Sequence, residues 1–131
     1  MKEELVEILE HLEHTMDTKE KIRILMNNKT NDDLRTLFYY VFNENIQFGI
    51  DIEDFRYEYI TGESHFKCIF DLLDYLIMNN KTDDEFIVDE MNQYICNADE
   101  KAKYWIIKTI LKDLDIDVTV DILNQVWENF I

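Results

Sequence analysis

Proline is absent from this 131-residue chain, glycine occurs only twice and serine only once. Without glycine there is no raw material for a phosphate-cradling loop or a dinucleotide-binding turn, and without proline as well the many tight turns of an all-β sandwich cannot be built. The lone serine, Ser64, leaves almost no scope for serine nucleophilic catalysis and is expected to cap a helix instead. Basic residues are scarce too: 13 Lys+Arg stand against 29 Asp+Glu, for a formal charge of -16 at pH 7. Such a field repels nucleic acid and anionic membranes at long range, so any polyanion contact has to be local. No apolar run approaches the roughly 20 residues of a membrane span, and Met1-Lys2-Glu3-Glu4 opens no signal-peptide apolar region. A cytosolic protein is expected. Cys68 and Cys96 fall at apolar positions of helical patterns and are read as buried, reduced thiols without a disulfide.

What is present points to helices. At 47% hydrophobic and 13% aromatic residues the chain can build a core, and residues 1–131 are one domain's worth of chain. Leu5, Ile8, Leu9 and Leu12 recur on one helical face, which predicts a first helix from Glu3 to about Thr15. Asp17 with Glu20 forms a capping box for a second helix carrying Ile22, Leu25 and Met26; Asn31, followed by Asp32 and Asp33, opens a third with Leu34, Leu37, Phe38 and Val41. Between 43 and 63 the period breaks, both glycines appear, and Phe55, Tyr57 and Tyr59 alternate with Arg56 and Glu58, so a loop with a short extended segment is expected. Ser64 is read as the cap of the most apolar helix, with Phe66, Ile69, Phe70, Leu73, Leu76 and Ile77 in phase, and that helix is expected at the centre. Thr82 with Glu85 leads to Phe86, Met91 and Ile95. Asp99 opens a helix with Ala102, Trp105, Ile106, Thr109 and Ile110 on one side, and Thr119 opens the last, with Ile122, Leu123, Val126, Trp127 and Phe130. The sum is an all-α domain of about seven helices. Trp127 should pack with Leu123 and Phe130 against Phe66 and Phe70. The stretch Asn-Asn-Lys-Thr occurs at 27–30 and again at 79–82, read as two turn-and-cap sequences rather than a duplication.

Metal and catalytic constellations are weak. Glu7, Glu10, His11 and His14 share a helical face, but such a site normally draws ligands from a second helix, so a solvated polar face is the preferred reading. His65-x-x-Cys68 offers only a pair. Asp113, Asp115 and Asp117 mimic the start of a calcium loop, yet the required glycine is Val118 and the closing glutamate is Asn124, which excludes an EF-hand. Neither a metal nor a cofactor is expected.

The segment Lys112-Asp113-Leu114-Asp115-Ile116-Asp117-Val118-Thr119, running into Asn124 and Val126-Trp127, resembles the end of the N-terminal DNA-binding domain of ATP-dependent DNA ligases, above all the small T-even-phage type. In that family the segment reads basic, Asp-Leu, two variable residues, Gly, one variable, Ser/Thr, then an apolar helix with Asn and Val-Trp or Val-Phe. Asp113, Leu114, Thr119, Asn124, Val126 and Trp127 match in register. More loosely, Leu5 to Leu12, the Asp17/Thr18 cap with its Lys-rich turn, and the helices Leu34 to Phe42 and Phe66 to Ile77 fall in the expected order. The resemblance implies a compact all-α domain that grips nicked duplex DNA through phosphate and minor-groove contacts. It also suggests a phage or mobile-element origin. Three positions depart from the pattern: the family's glycine is Asp117, a typically basic position is Gln125, and the Pro-Gly-type ending is Glu128-Asn129. No Lys-x-Asp-Gly occurs to accept AMP, so ligation by this chain is not expected.

Two sets of candidate contacts follow. Lys101, Lys108 and Lys112 lie on one stripe of the Trp105 helix, and Lys19 pairs with Arg23; these are the best phosphate ligands, although pairing with neighbouring carboxylates is the preferred reading. Conversely, Glu3, Glu7 and Glu10 step along a helix by about 4.5–6 Å, comparable to phosphates along one strand, so a helix can imitate a nucleic-acid backbone. Asp113, Asp115, Asp117 and Asp121 form a second acidic cluster, and Asp83, Asp84, Glu85, Asp89 and Glu90 a third; for any one cluster a solubilising surface with cap carboxylates is the preferred reading, and the charge of -16 favours at least one being an interaction surface. The sequence therefore predicts a non-catalytic interaction protein whose carboxylates bind a partner with a basic nucleic-acid-binding surface and inhibit it. Its own affinity for nucleic acid should be weak or nil. The alternative is the DNA-binding domain of a ligase.

Overall fold

The computed structural model describes residues 1–56, 60–80 and 84–131. These fold into seven α-helices and one 3-10 turn: α1 (Glu3–Glu13), α2 (Thr18–Asn27), α3 (Asp32–Phe42), the turn Ile52–Asp54, α4 (Ile69–Met78), α5 (Glu85–Cys96), α6 (Glu100–Ile110) and α7 (Val120–Val126). No strand occurs among the described residues, so the all-α expectation holds. Tyr57, Glu58 and Tyr59 of the alternating stretch, Thr82 of the expected capping box and Asp83 of the third acidic cluster lie outside the described residues.

Short polar side chains start most of the helices. Asp17, Asn31, Asp84, Asp99 and Thr119 each accept a backbone N–H of the first turn, at 2.9 to 3.3 Å, and so satisfy donors that have no partner within the helix. At α5 the cap is Asp84, two residues after the expected Thr82. Glu20 does not complete a box with Asp17; its carboxylate pairs with Arg23 one turn on. Ser64 does not cap α4 either. Its hydroxyl accepts from the Phe66 amide at 3.2 Å in a local turn, and α4 begins only at Ile69. The intervening Phe66 is withdrawn from the helix because its ring packs between Tyr75 and Tyr94, at 5.1 and 6.4 Å.

Asparagine closes four helices, α2 to α5, three of them with a side-chain hydrogen bond. The side-chain amides of Asn28, Asn79 and Asn97 donate to the carbonyl four residues back, at 2.8, 2.8 and 2.9 Å. The capping asparagine is the second residue of the first Asn-Asn-Lys-Thr stretch but the first residue of the second. The capping asparagines thus stand at different positions of the repeated tetrapeptide, as turn-and-cap sequences allow.

One core of buried side chains is continuous across all seven helices. Its centre is α6, which packs on α1, α3 and α5 and buries Trp105 and Ile106; α4, expected there, packs on α5. Helix phase differs from expectation in two places. In α2 the inward face is Lys21, Ile24 and Leu25, while Met26 is exposed. In α5 it is Ile87, Met91 and Ile95, and Phe86, one residue off that stripe, points outward. Trp127 is buried, but α7 packs on α2 rather than α4, so its ring meets Phe38 at 6.2 Å and Phe130 at 5.4 Å and its indole N–H donates to the Lys29 carbonyl at 2.9 Å. Phe70 stacks on Tyr40 instead. The irregular stretch after α3 is tied down by buried Asn92, which accepts from the Arg56 amide at 2.9 Å and donates to the Asp54 and Val88 carbonyls. Both cysteines are free thiols. Cys68 is exposed, contrary to expectation, because it precedes the first turn of α4; Cys96 is half-buried and accepts from the Ile60 amide.

Candidate functional site

The segment singled out by sequence is the connection between α6 and α7. Helix α6 ends in a Schellman motif: the Lys112 amide donates to the Thr109 carbonyl and the Asp113 amide to the Lys108 carbonyl, both at 3.0 Å. Lys112 occupies the left-handed position, φ 58°, where glycine is usual. Beyond it burial alternates. Leu114, Ile116 and Val118 point into the core while Asp113, Asp115 and Asp117 face solvent. Asp115 and Asp117 both stand at φ 53°, a region that glycine enters freely and Asp more readily than most other residues. Asp117 is the position at which the resemblance calls for glycine. That register is thus matched by the backbone, with Asp carrying a conformation that glycine would carry without strain.

Two lysines hold this loop from its inner side, and a third ties its start to the end of α3. Lys21 of α2, 4% exposed, donates from Nζ to the Ile116 carbonyl at 2.8 Å and the Asp117 carbonyl at 3.3 Å, with an Asp117 carboxylate oxygen at 3.8 Å. Lys108 of α6 reaches the Leu114 carbonyl at 3.4 Å and the Glu13 carboxylate at 3.5 Å, and its ammonium lies 4.5 Å from the Tyr104 ring centroid. Burial alone would lower its pKa, but Tyr104 and Glu13 outweigh it and leave Lys108 above the ordinary lysine value. Lys112 reaches back to the carbonyls of Asn43 and Ile46, where it caps the C-terminal end of α3. Burial pushes that ammonium below the usual lysine range, with Glu44 opposing.

The expected phosphate stripe is therefore not a stripe. Lys101 is exposed, with Glu10 at 4.0 Å, whereas Lys108 and Lys112 are turned inward. Lys108 pairs with carboxylates, as anticipated; Lys112 is held by backbone carbonyls. Arg23 is paired with Glu20, and Lys19 is exposed with no carboxylate within 4 Å among the described residues. Sequence reasoning missed Lys21. The signal was there, since Lys21, Ile24, Leu25 and Asn28 share one face of α2 at i, i+3, i+4 and i+7.

On the acidic side, Glu3 and Glu7 are exposed on α1, and Glu10 is half-buried beside Lys101. Lys108 joins the end of that helix to the loop, bridging Glu13 and an Asp115 carboxylate oxygen at 4.0 Å. Asp121, in the first turn of α7, is exposed beside the loop. Of the third cluster, Asp84 caps α5, Asp89 pairs with Arg56 and Glu90 lies 2.9 Å from His65, while Glu85 is exposed in the first turn of α5. Among the described residues no three His, Cys, Asp or Glu side chains converge as a metal site, and no helix is long and apolar enough to cross a membrane.

No family model matches the chain. Two curated proteins are similar to it over 97% of its length: the DNA ligase of Enterobacteria phage T4 and that of Enterobacteria phage T6, each 22% identical over 135 aligned positions. The chain spans only 26% of either ligase. The likeness to ligases, read most specifically from the α6–α7 segment and more loosely elsewhere, thus covers 97% of the chain.

Proposed function

We propose that this chain is a non-catalytic, ligase-related helical domain, encoded by a phage or mobile element, whose acidic surface binds the basic nucleic-acid-binding face of a protein that processes nucleic acid, and inhibits it. One observation carries the reading. In the segment that resembles the end of a ligase DNA-binding domain, the nearby lysines are directed onto backbone carbonyls and Glu13, and the side chains left facing solvent are the carboxylates of Asp113, Asp115 and Asp117. Exposed Asp121 and the Glu3–Glu7 edge of α1 extend the same charge. A phage origin is supported by both ligases being phage proteins. The absence of Lys-x-Asp-Gly supports a role without adenylyl transfer in this chain.

A second reading is favoured by the extent of the similarity: the DNA-binding domain of a ligase contacting nicked duplex. Lys19, Lys29 and Arg35 are exposed without a carboxylate within 4 Å among the described residues, and they are the cations such a domain would use.

Anisotropy titration with a nicked duplex, paired with affinity capture from nuclease-treated host lysate, separates the two readings. The interaction reading expects negligible duplex binding at physiological salt. It also expects capture of a nucleic-acid-processing protein that duplex DNA competes off and that Asp113→Lys/Asp115→Lys/Asp121→Lys abolishes. Micromolar duplex binding that falls steeply with salt, and is lost in Lys19→Glu/Lys29→Glu/Arg35→Glu, would replace it with the ligase-domain reading. Lys108 and Lys112 are unsuitable for this test, because reversing them would uncap the loop and α3.

A further inference from the structure

A buried ammonium stands under the acidic loop. Lys21 is separated by 95 residues from Ile116 and by 96 from Asp117, yet its Nζ sits 2.8 and 3.3 Å from their carbonyl oxygens in a site that is 4% exposed. Carbonyls in this irregular stretch take no part in helical bonding and need a donor if they are to be buried. Lys21 supplies one to two successive residues at once, and the second of them, Asp117, is held at φ 53°. Asp117's own side chain is almost wholly in solvent, so the ion pair at 3.8 Å contributes little; the grip is on the backbone.

We infer that Lys21 is a positioning residue: its buried ammonium locks the 115–118 backbone in the left-handed turns that hold Ile116 and Val118 inward and aim the Asp115 and Asp117 carboxylates outward. This goes beyond the proposed function and rests on it only for the use to which the aimed carboxylates are put. A bidentate ammonium cap on adjacent carbonyls restrains rotation about the intervening peptide units, which a single hydrogen bond or a salt bridge to a mobile carboxylate does not. Lys108, on the Leu114 carbonyl, restrains the preceding turn in the same way and leaves the 116–118 half to Lys21.

Backbone 15N relaxation by NMR on the full chain tests this without a partner. Lys21→Met keeps the aliphatic stem and removes the donor. Order parameters at Ile116, Asp117 and Val118 should then fall from the rigid range of about 0.85 to below about 0.6, while those of α4 and α5 are unchanged. Adding Asp117→Gly should not restore order, because a freed backbone widens the ensemble; Lys21→Arg, which keeps a donor, should restore part of it. Unchanged order parameters at 116–118 in a folded Lys21→Met protein, or a fall spread equally over α4 and α5, overturns the positioning role. Should Lys21→Met fail to fold, the wild-type protein decides: the Lys21 ammonium protons should exchange at least about tenfold more slowly than those of exposed Lys19, and equal rates overturn the inference. None of these readouts depends on the capture experiment, so a failed partner reading leaves the loop result standing and a failed loop result leaves the partner reading standing.

Discussion

Truncating Trp127 to alanine tests the packing of the last helix. The side chain is 5% exposed, its ring meets Phe38 and Phe130, and its indole N–H donates to the Lys29 carbonyl at 2.9 Å. Loss of a buried aromatic of this size costs about 3–5 kcal/mol, of which the hydrogen bond accounts for about 1 kcal/mol. Lys29 is exposed, so water can replace the indole at its carbonyl, and the lower half of the range is expected. For a domain of this length that corresponds to a fall in Tm of about 10–15 °C, measurable by calorimetry or by helical circular dichroism. A double-mutant cycle then locates the packing. Phe38→Ala with Trp127→Ala should show coupling on the order of 1 kcal/mol, because the rings are in edge contact. Phe66→Ala with Trp127→Ala should add within about 0.5 kcal/mol, since Phe66 packs between Tyr75 and Tyr94 instead. An unchanged Tm would refute the buried placement and mark Trp127 as a contact residue on the surface. Coupling to Phe66 and not to Phe38 would refute the docking of α7 on the α2–α3 side.

Asn92→Ala should cost about 2–4 kcal/mol, read by urea denaturation, because one buried amide satisfies the Arg56 N–H and the Asp54 and Val88 carbonyls; Asn92→Asp should be nearly as harmful, having lost both donors. Stability should fall as pH rises from about 10 to 12. Burial lifts both Tyr94 and Tyr40 to about 12, with Asp74 adding to the second, so above pH 10 the unfolded chain releases protons that the folded one retains. Urea midpoints flat across that interval would contradict the placement of the two phenols, and Tyr94→Phe should remove part of the slope. Alkylation should modify Cys68 faster than Cys96, because one thiol is exposed and the other is half-buried beside Ile60; equal rates would contradict the loop placement.

The helices were legible in the sequence because their causes are local. The 3.6-residue recurrence of Leu5, Ile8, Leu9 and Leu12, or of Ala102, Trp105, Ile106, Thr109 and Ile110, determines which face is buried whatever the neighbour is, and Asp17, Asn31, Asp99 and Thr119 satisfy amides within their own first turn. The likeness to ligases was sharpest in one local segment, with Asp113, Leu114, Thr119 and Trp127 in register, and looser along the rest of the chain. Tertiary structure decided everything that depends on which element meets which. Phe66 left the phase of α4 to lie between Tyr75 and Tyr94, and Trp127 found Phe38 because α7 docks on α2. Charge followed the same division. Composition fixes an excess of carboxylate, but a lysine's long stem can deliver its ammonium to a site far along the chain, and only the packed fold supplies the carbonyls that draw Lys21, Lys108 and Lys112 inward. That is why the acidic character of the 113–117 loop, countable in the sequence, became an outward-facing surface only once Lys21 and Lys108 had been placed beneath it.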